Sequence, residues 1–156
     1  MHCVTRLVGL LACLPLFLSA QTVQAPAQSQ PGASFTDRDT MQLLNQIRDG
    51  IDSRSQKKIL SAFDLEKMGG GAVFKQQIAG FLAQSDLIRI HFNQIQTTME
   101  NGRGIATAQV EMEADPRDSN LLPVYKQTQL HFVAEKSPAG WRFTDVQPRS
   151  FFSRQP

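Results

Sequence analysis

The sequence predicts an α+β fold in which N-terminal helices pack on the concave face of a curled four-stranded antiparallel sheet. Three observations carry this. Between residues 35 and 84 the apolar residues recur at helical spacing, whereas from 87 to 152 they alternate with polar ones at the period of half-buried strands. The strand half is punctuated by turn residues, above all Asn101-Gly102, a pair that accepts positive φ at both central positions of a two-residue hairpin loop. Between Phe92 and Ile95 the apolar parity changes, which demands an extra residue near Asn93 or Gln94 and so a bulge that bends the sheet.

Before the first helix lie two segments with nothing to bury. Residues 1–25 have a basic start, an apolar run over 7–18, and small residues at Ser19, Ala20 and Ala25, the layout of a cleaved secretory signal. The run is too short for a stable transmembrane anchor, which needs about 20 apolar residues. A competing reading makes Leu10-Leu11-Ala12-Cys13 a lipoprotein box, but the apolar residues that continue past Cys13 argue against a lipidated tether there. Residues 26–34, rich in Gln, Ala, Pro and Ser, read as a disordered linker, leaving 35–156 as one domain. The expected destination is the periplasm or the medium. Both cysteines, Cys3 and Cys13, fall in the signal, so the exported form would use neither disulfides nor thiolate chemistry.

Thr36 is the expected N-cap of the first helix, with Asp37 and Asp39 at its positive end and a stripe of Met41, Leu43, Leu44, Ile47 and Ile51. Gly50 and Ser53 mark its expected end. A second helix starts at Ser53 or Ser55 and buries Ile59, Leu60 and Phe63. Gly69-Gly70-Gly71 breaks the chain before a third, with Phe74, Ile78, Phe81 and Leu82 inward and Lys75, Gln76 and Gln84 outward.

In the first strand Ile88, Ile90 and Phe92 face inward and Arg89, His91 and Asn93 outward. A two-residue loop at Asn101-Gly102 would place Thr97 opposite Ala106 and Ile95 opposite Ala108. On the return strand Ala106, Ala108, Val110 and Met112 are inward. Residues 115–120 form a polar loop, Leu130, Phe132 and Ala134 define the third strand, and residues 137–140 turn into a last strand carrying Trp141, Phe143 and Asp145 on one face. Phe151 and Phe152 are expected to pack back over the first helix.

The segment from Phe81 to Phe92, the Asn101-Gly102 hairpin and the run Gly140-Trp141-Arg142-Phe143-Thr144-Asp145 onward resemble the nuclear transport factor 2-like superfamily, in particular its bacterial SnoaL-like members, over nearly all of 35–152. The resemblance implies a cone-shaped domain with a pocket under the sheet. Only Asp64 to Gly71 is available where many members insert a short strand pair, which implies a less complete cone. Members include isomerases, cyclases and dehydratases with an Asp or His dyad, and many non-catalytic proteins, so the fold does not dictate an activity.

Few residues offer chemistry. His91 and His131 point outward by parity. Asp145, beside Trp141 and Phe143, is the one weak catalytic candidate: a carboxylate in an apolar cup would be a base with a raised pKa, unless it pairs with Arg142 or Arg149. A second polar group would then have to converge on it, with Thr97, Lys126 and Thr128 the nearest. Gly69 to Gly71 lacks the Lys-Ser/Thr end of a phosphate loop, Glu111, Glu113 and Asp115 fit no calcium loop, and neither a metal nor a cofactor is expected. The formal net charge is only +2 with no basic stripe, so nucleic acid is not an expected partner.

The functional expectation is an exported, non-catalytic SnoaL-like protein that binds a small apolar ligand or a protein partner. The candidate ligand-binding residues are Phe74, Ile78, Phe92, Thr97, Trp141, Phe143 and Asp145. Homodimerisation through the polar outer sheet face, lined by Thr107, Gln109, Gln127, Gln129 and His131, is a further expectation. The alternatives are a small-molecule isomerase, cyclase or hydrolase with Asp145 as base, and a periplasmic lipid carrier.

Overall fold

The computed structural model describes residues 34–154. The expected signal, its two cysteines and nearly all of the linker lie outside the described residues. Helices α1 (Asp37–Asp52), α2 (Gln56–Leu60) and α3 (Gly71–Gln84) precede strands β1 (Ser85–Glu100), β2 (Arg103–Pro116), β3 (Val124–Ser137) and β4 (Gly140–Gln147), and a 3-10 turn, Arg149–Phe152, follows. The sheet is an antiparallel meander in the order β1-β2-β3-β4.

Each helix boundary has a local cause. At α1 the Thr36 hydroxyl accepts from the Asp39 backbone while the Asp39 carboxylate accepts from Thr36, a reciprocal cap that satisfies two otherwise orphan donors. The helix ends at Ser53, its C-cap, as expected, but Gly50 lies inside it and serves packing: a Cβ here would lie 2.6 Å from the Ile59 backbone nitrogen, so its absence lets α2 approach α1 closely. Met41 is 42% exposed and outside the buried stripe. Thr40 holds the inner position in its place, accepting a hydrogen bond from the Thr97 hydroxyl on β1 at 3.0 Å. Ser55 caps α2, and Gly70, at φ +75°, makes the turn into α3. Arg54 ties the end of α3 to β1 by donating to the carbonyls of Leu82 and Ser85.

The bulge expected near Asn93 is present. Asn93 pairs with Gln109 and Gln96 with Thr107, so Gln94 and Ile95 together face Ala108. Gln94 takes the left-handed conformation, φ +48°, and Ile95 turns toward the core. Asn101 and Gly102, at φ +49° and +78°, close the hairpin between the paired Glu100 and Arg103.

A second irregularity was not expected. Val133 pairs with Asp145 but Ala134 pairs with Phe143, so Thr144 is the extra residue. Trp141 and Phe143 face inward before this bulge, and Val146 faces inward after it. Asp145 is thereby moved to the outer face. The exposed edge of β4 is met by the chain after α2, where the amide of Asp64 donates to Phe143 and that of Phe143 to Ala62.

Candidate functional site

The concave side of the sheet, where a cone of this shape would hold a ligand, is packed with the protein's own rings. Phe132 and Phe143 lie 4.5 Å apart, Phe143 and Phe63 5.8 Å, Phe63 and Phe74 5.0 Å, and Phe74 and Phe152 5.9 Å, a continuous aromatic column from sheet to C-terminus. Ala106, Ala108, Val110, Leu130 and Ile78 fill the space around it and are fully buried. Offset and edge-on ring contacts of this kind add to the area that they bury. Phe151 and Phe152 complete the column, but they pack against α3 rather than α1, since Phe74 of α3 meets Phe152 and Gln77 of α3 donates to the carbonyls of Arg149 and Phe152.

The sequence candidates therefore do not share one cavity. Phe74, Ile78 and Phe143 are core residues. Phe92, half-buried, lies with Ile95 along a cleft of about 110 Å³ against Met41 and Leu44 of α1. Trp141 lies along another of about 140 Å³ with Asp39, Gln42 and Gln46, and its ring meets that of Phe35 at 5.0 Å, tilted by 57°. Both volumes fall short of the roughly 300 Å³ at which small-molecule pockets begin. Thr97 is engaged with Thr40.

Asp145 stands apart from all of these. Its carboxylate accepts from Arg149 Nη2 at 2.6 Å and Nε at 3.2 Å, and from Gln147 Nε2. Arg142, the other expected partner, instead donates to the Ser61 carbonyl. Partial burial pushes the Asp145 pKa up, but the hydrogen bonds from Arg149, Gln147 and the Val146 backbone, with the Arg149 charge, outweigh it and hold the group below its ordinary value. A carboxylate held ionised by a guanidinium is a weak base and a good structural link. Arg149 also donates to the Gly69 carbonyl, so one side chain joins β4, the 3-10 turn and the entry to α3.

Nor do the other polar candidates converge on Asp145. Lys126 Nζ donates to the carbonyls of Ser150 and Ser153 at 3.0 and 2.8 Å, and burial pushes its pKa below the ordinary lysine value. Thr128 borders an open cleft of about 370 Å³ with Tyr125, Pro148 and Phe151. His91 and His131 are exposed. Among the described residues no three His, Cys, Asp or Glu side chains gather as metal ligands, and no helix is long and apolar enough to cross a membrane.

The outer sheet face is the large surface that remains. Gln109 pairs with Gln129, Glu111 with Gln127 and Thr107 with His131 across its centre. Arg89 and Glu113 form an ion pair toward one end. The face is polar and left uncovered by the helices.

No family model and no curated protein matches the chain. Solved structures do. A nuclear transport factor 2-like superfamily protein from Salmonella enterica has a TM-score of 0.62 at 14% identity, over 70% of this chain and 86% of that one. A candidate scytalone dehydratase from Novosphingobium aromaticivorans has 0.62 at 12%, over 70% and 79%. A candidate aromatic ring hydroxylase from the same organism has 0.61 at 15%, over 72% and 89%. At such identities the likeness speaks for the fold, and with the helix order, meander and bulged first strand it shows that this chain has the nuclear transport factor 2-like fold.

Proposed function

We propose that the protein is an exported, non-catalytic binding module of SnoaL-like type that meets its partner through the outer face of the sheet, the first such partner being a second copy of the chain. The observation that carries this is the closed interior: an aromatic column occupies the concave side while the one candidate base, Asp145, is turned outward and neutralised by Arg149. An enzyme or lipid carrier built on this frame needs a cavity with polar groups aimed into it. The centre of the outer face suits self-association, because Gln109, Gln127, Gln129 and Thr107 both donate and accept hydrogen bonds and carry no charge, so like copies meet there without repulsion. Export rests on the first 25 residues of the sequence.

Sedimentation velocity tests the reading. The wild type should form a dimer that is lost when Gln109→Arg and Gln129→Arg place like charges at the centre of the face. A monomer at all concentrations, or a dimer indifferent to both changes, would refute it. Native mass spectrometry of protein from the host envelope tests the closed interior, and a co-purified small molecule would overturn it.

A further inference from the structure

The loop between β2 and β3 and the start of β3 concentrate exposed apolar surface that no function above uses. Leu121 is 52% exposed, Leu122 83% and Tyr125 65%, so three of the seven large exposed hydrophobic residues among the described residues lie within five positions. Isolated exposed leucines are ordinary, but a contiguous group at a loop tip marks a contact surface. The tip is held in shape: Asp118 accepts from the backbone and side-chain amides of Asn120, both at 2.9 Å, and the Leu121 amide donates to the Asp118 carbonyl.

The charges around the tip select its partner. Arg154 donates to the Leu122 carbonyl at 3.0 Å and to the Ala114 carbonyl at 3.4 Å, which sets a guanidinium beside the exposed leucine. Arg117 opens the loop, 59% exposed and only loosely paired with Asp86 at 3.5 Å. The Asp118 carboxylate is turned into the loop by Asn120. Two exposed leucines thus share the loop with two guanidiniums, and Tyr125, apolar at its ring and polar at its hydroxyl, follows at the start of β3.

We propose that this loop docks on an anionic lipid bilayer surface, Leu121 and Leu122 entering the acyl boundary, Tyr125 lying at headgroup level, and Arg117 and Arg154 meeting phosphates. Burying two leucines supplies the apolar part of such an attachment, and arginine's fork of donors fits a phosphate. The attachment is peripheral and meets the outer sheet face only at its Tyr125 end.

The test uses the protein as its host processes it and a probe at the tip itself. Leu122→Trp should emit at shorter wavelength on mixing with phosphatidylglycerol–phosphatidylcholine vesicles and be quenched by brominated acyl chains. Trp141 in the wild type, enclosed against Phe35, should not respond. Partitioning onto those vesicles should fall at least about tenfold in the Leu121→Ser, Leu122→Ser double variant, weaken with salt, and be slight on pure phosphatidylcholine. Thermal melts should be unchanged by the double variant. An unshifted Leu122→Trp emission, equal partitioning of wild type and double variant, or equal binding to neutral vesicles would each overturn the proposal, as would a soluble protein that shifts the emission where vesicles do not.

Discussion

Arg149 grips Asp145 from four residues further along the chain, with Nη2 2.6 Å from Oδ1, across the turn that carries the strand β4 into the 3-10 segment. The pair sits on the outer side only because Thr144 is bulged. Had the strand stayed regular, Asp145 would have shared the inner face with Phe143 and pointed into the aromatic column.

The depressed Asp145 pKa fixes the sign of a stability effect. The unfolded group titrates at about 3.9 and the folded one below that, so the ionised carboxylate contributes stability that is complete above the unfolded value. That contribution disappears as pH falls through the folded value. Asp145→Asn should destabilise by about 1 kcal/mol at neutral pH, a modest figure because both side chains are partly solvated. The loss should fade in acid. Denaturant melts of both proteins at neutral and acidic pH check it, and a more stable Asn variant at neutral pH would contradict the pairing.

How much of this was legible in the sequence depends on which rule was applied where. The parity change from Phe92 to Ile95 revealed the first bulge, and the change from Phe143 to Val146 carries the same signal for the second. Extending the Trp141 and Phe143 alternation to Asp145 ignored Val146, the residue that would have placed the carboxylate outside. The α1 stripe misled at Met41 because helical spacing cannot tell which of two neighbouring positions faces in, and here the Thr40 to Thr97 hydrogen bond decides. The docking of Phe152 on α3 was beyond local pattern altogether, since it depends on where the chain returns in space.

Gly50→Ala separates helix propensity from packing. In an exposed helix alanine is favoured over glycine by about 1 kcal/mol. At position 50 the added Cβ would come within 2.6 Å of both the Ile59 backbone nitrogen and its Cγ1, and backbone cannot yield as a flexible side chain would. The expected result is a net loss of about 1 to 3 kcal/mol, measured by urea melts. A gain would show that α1 and α2 separate without cost.

Trp141→Ala removes the ring that packs at a tilt against Phe35 and lies beneath Lys136, whose Nζ is 5.7 Å from the ring centre. Trp141 is buried but borders a cleft, so the loss should sit near the lower end of large core truncations, about 3 kcal/mol. Equilibrium unfolding measures it. A loss below about 1 kcal/mol, the range of surface changes, would place the ring outside the core.

The curl of the sheet rests on Gln94, which holds φ +48° inside a strand. A left-handed conformation costs a residue with a Cβ about 1 to 2 kcal/mol and glycine almost nothing. A β-branched side chain is more hindered still. Gln94 is exposed and donates no hydrogen bond from its side chain among the described residues, so substitutions there report the backbone rather than lost contacts. Gln94→Gly should be neutral or stabilising by up to about 1 kcal/mol, the relief of strain being partly offset by the freer unfolded chain. Gln94→Val should destabilise by more than about 1 kcal/mol, because valine either adopts the hindered conformation or forces the bulge out and turns Ile95 away from Ala108. Thermal melts rank the three proteins, and amide exchange along the first hairpin separates the two routes: strain alone leaves the Asn93 to Gln109 pairing protected, whereas loss of the bulge shifts protection along the strand. A Val variant as stable as the wild type would mean that the left-handed turn at Gln94 is not what bends this sheet.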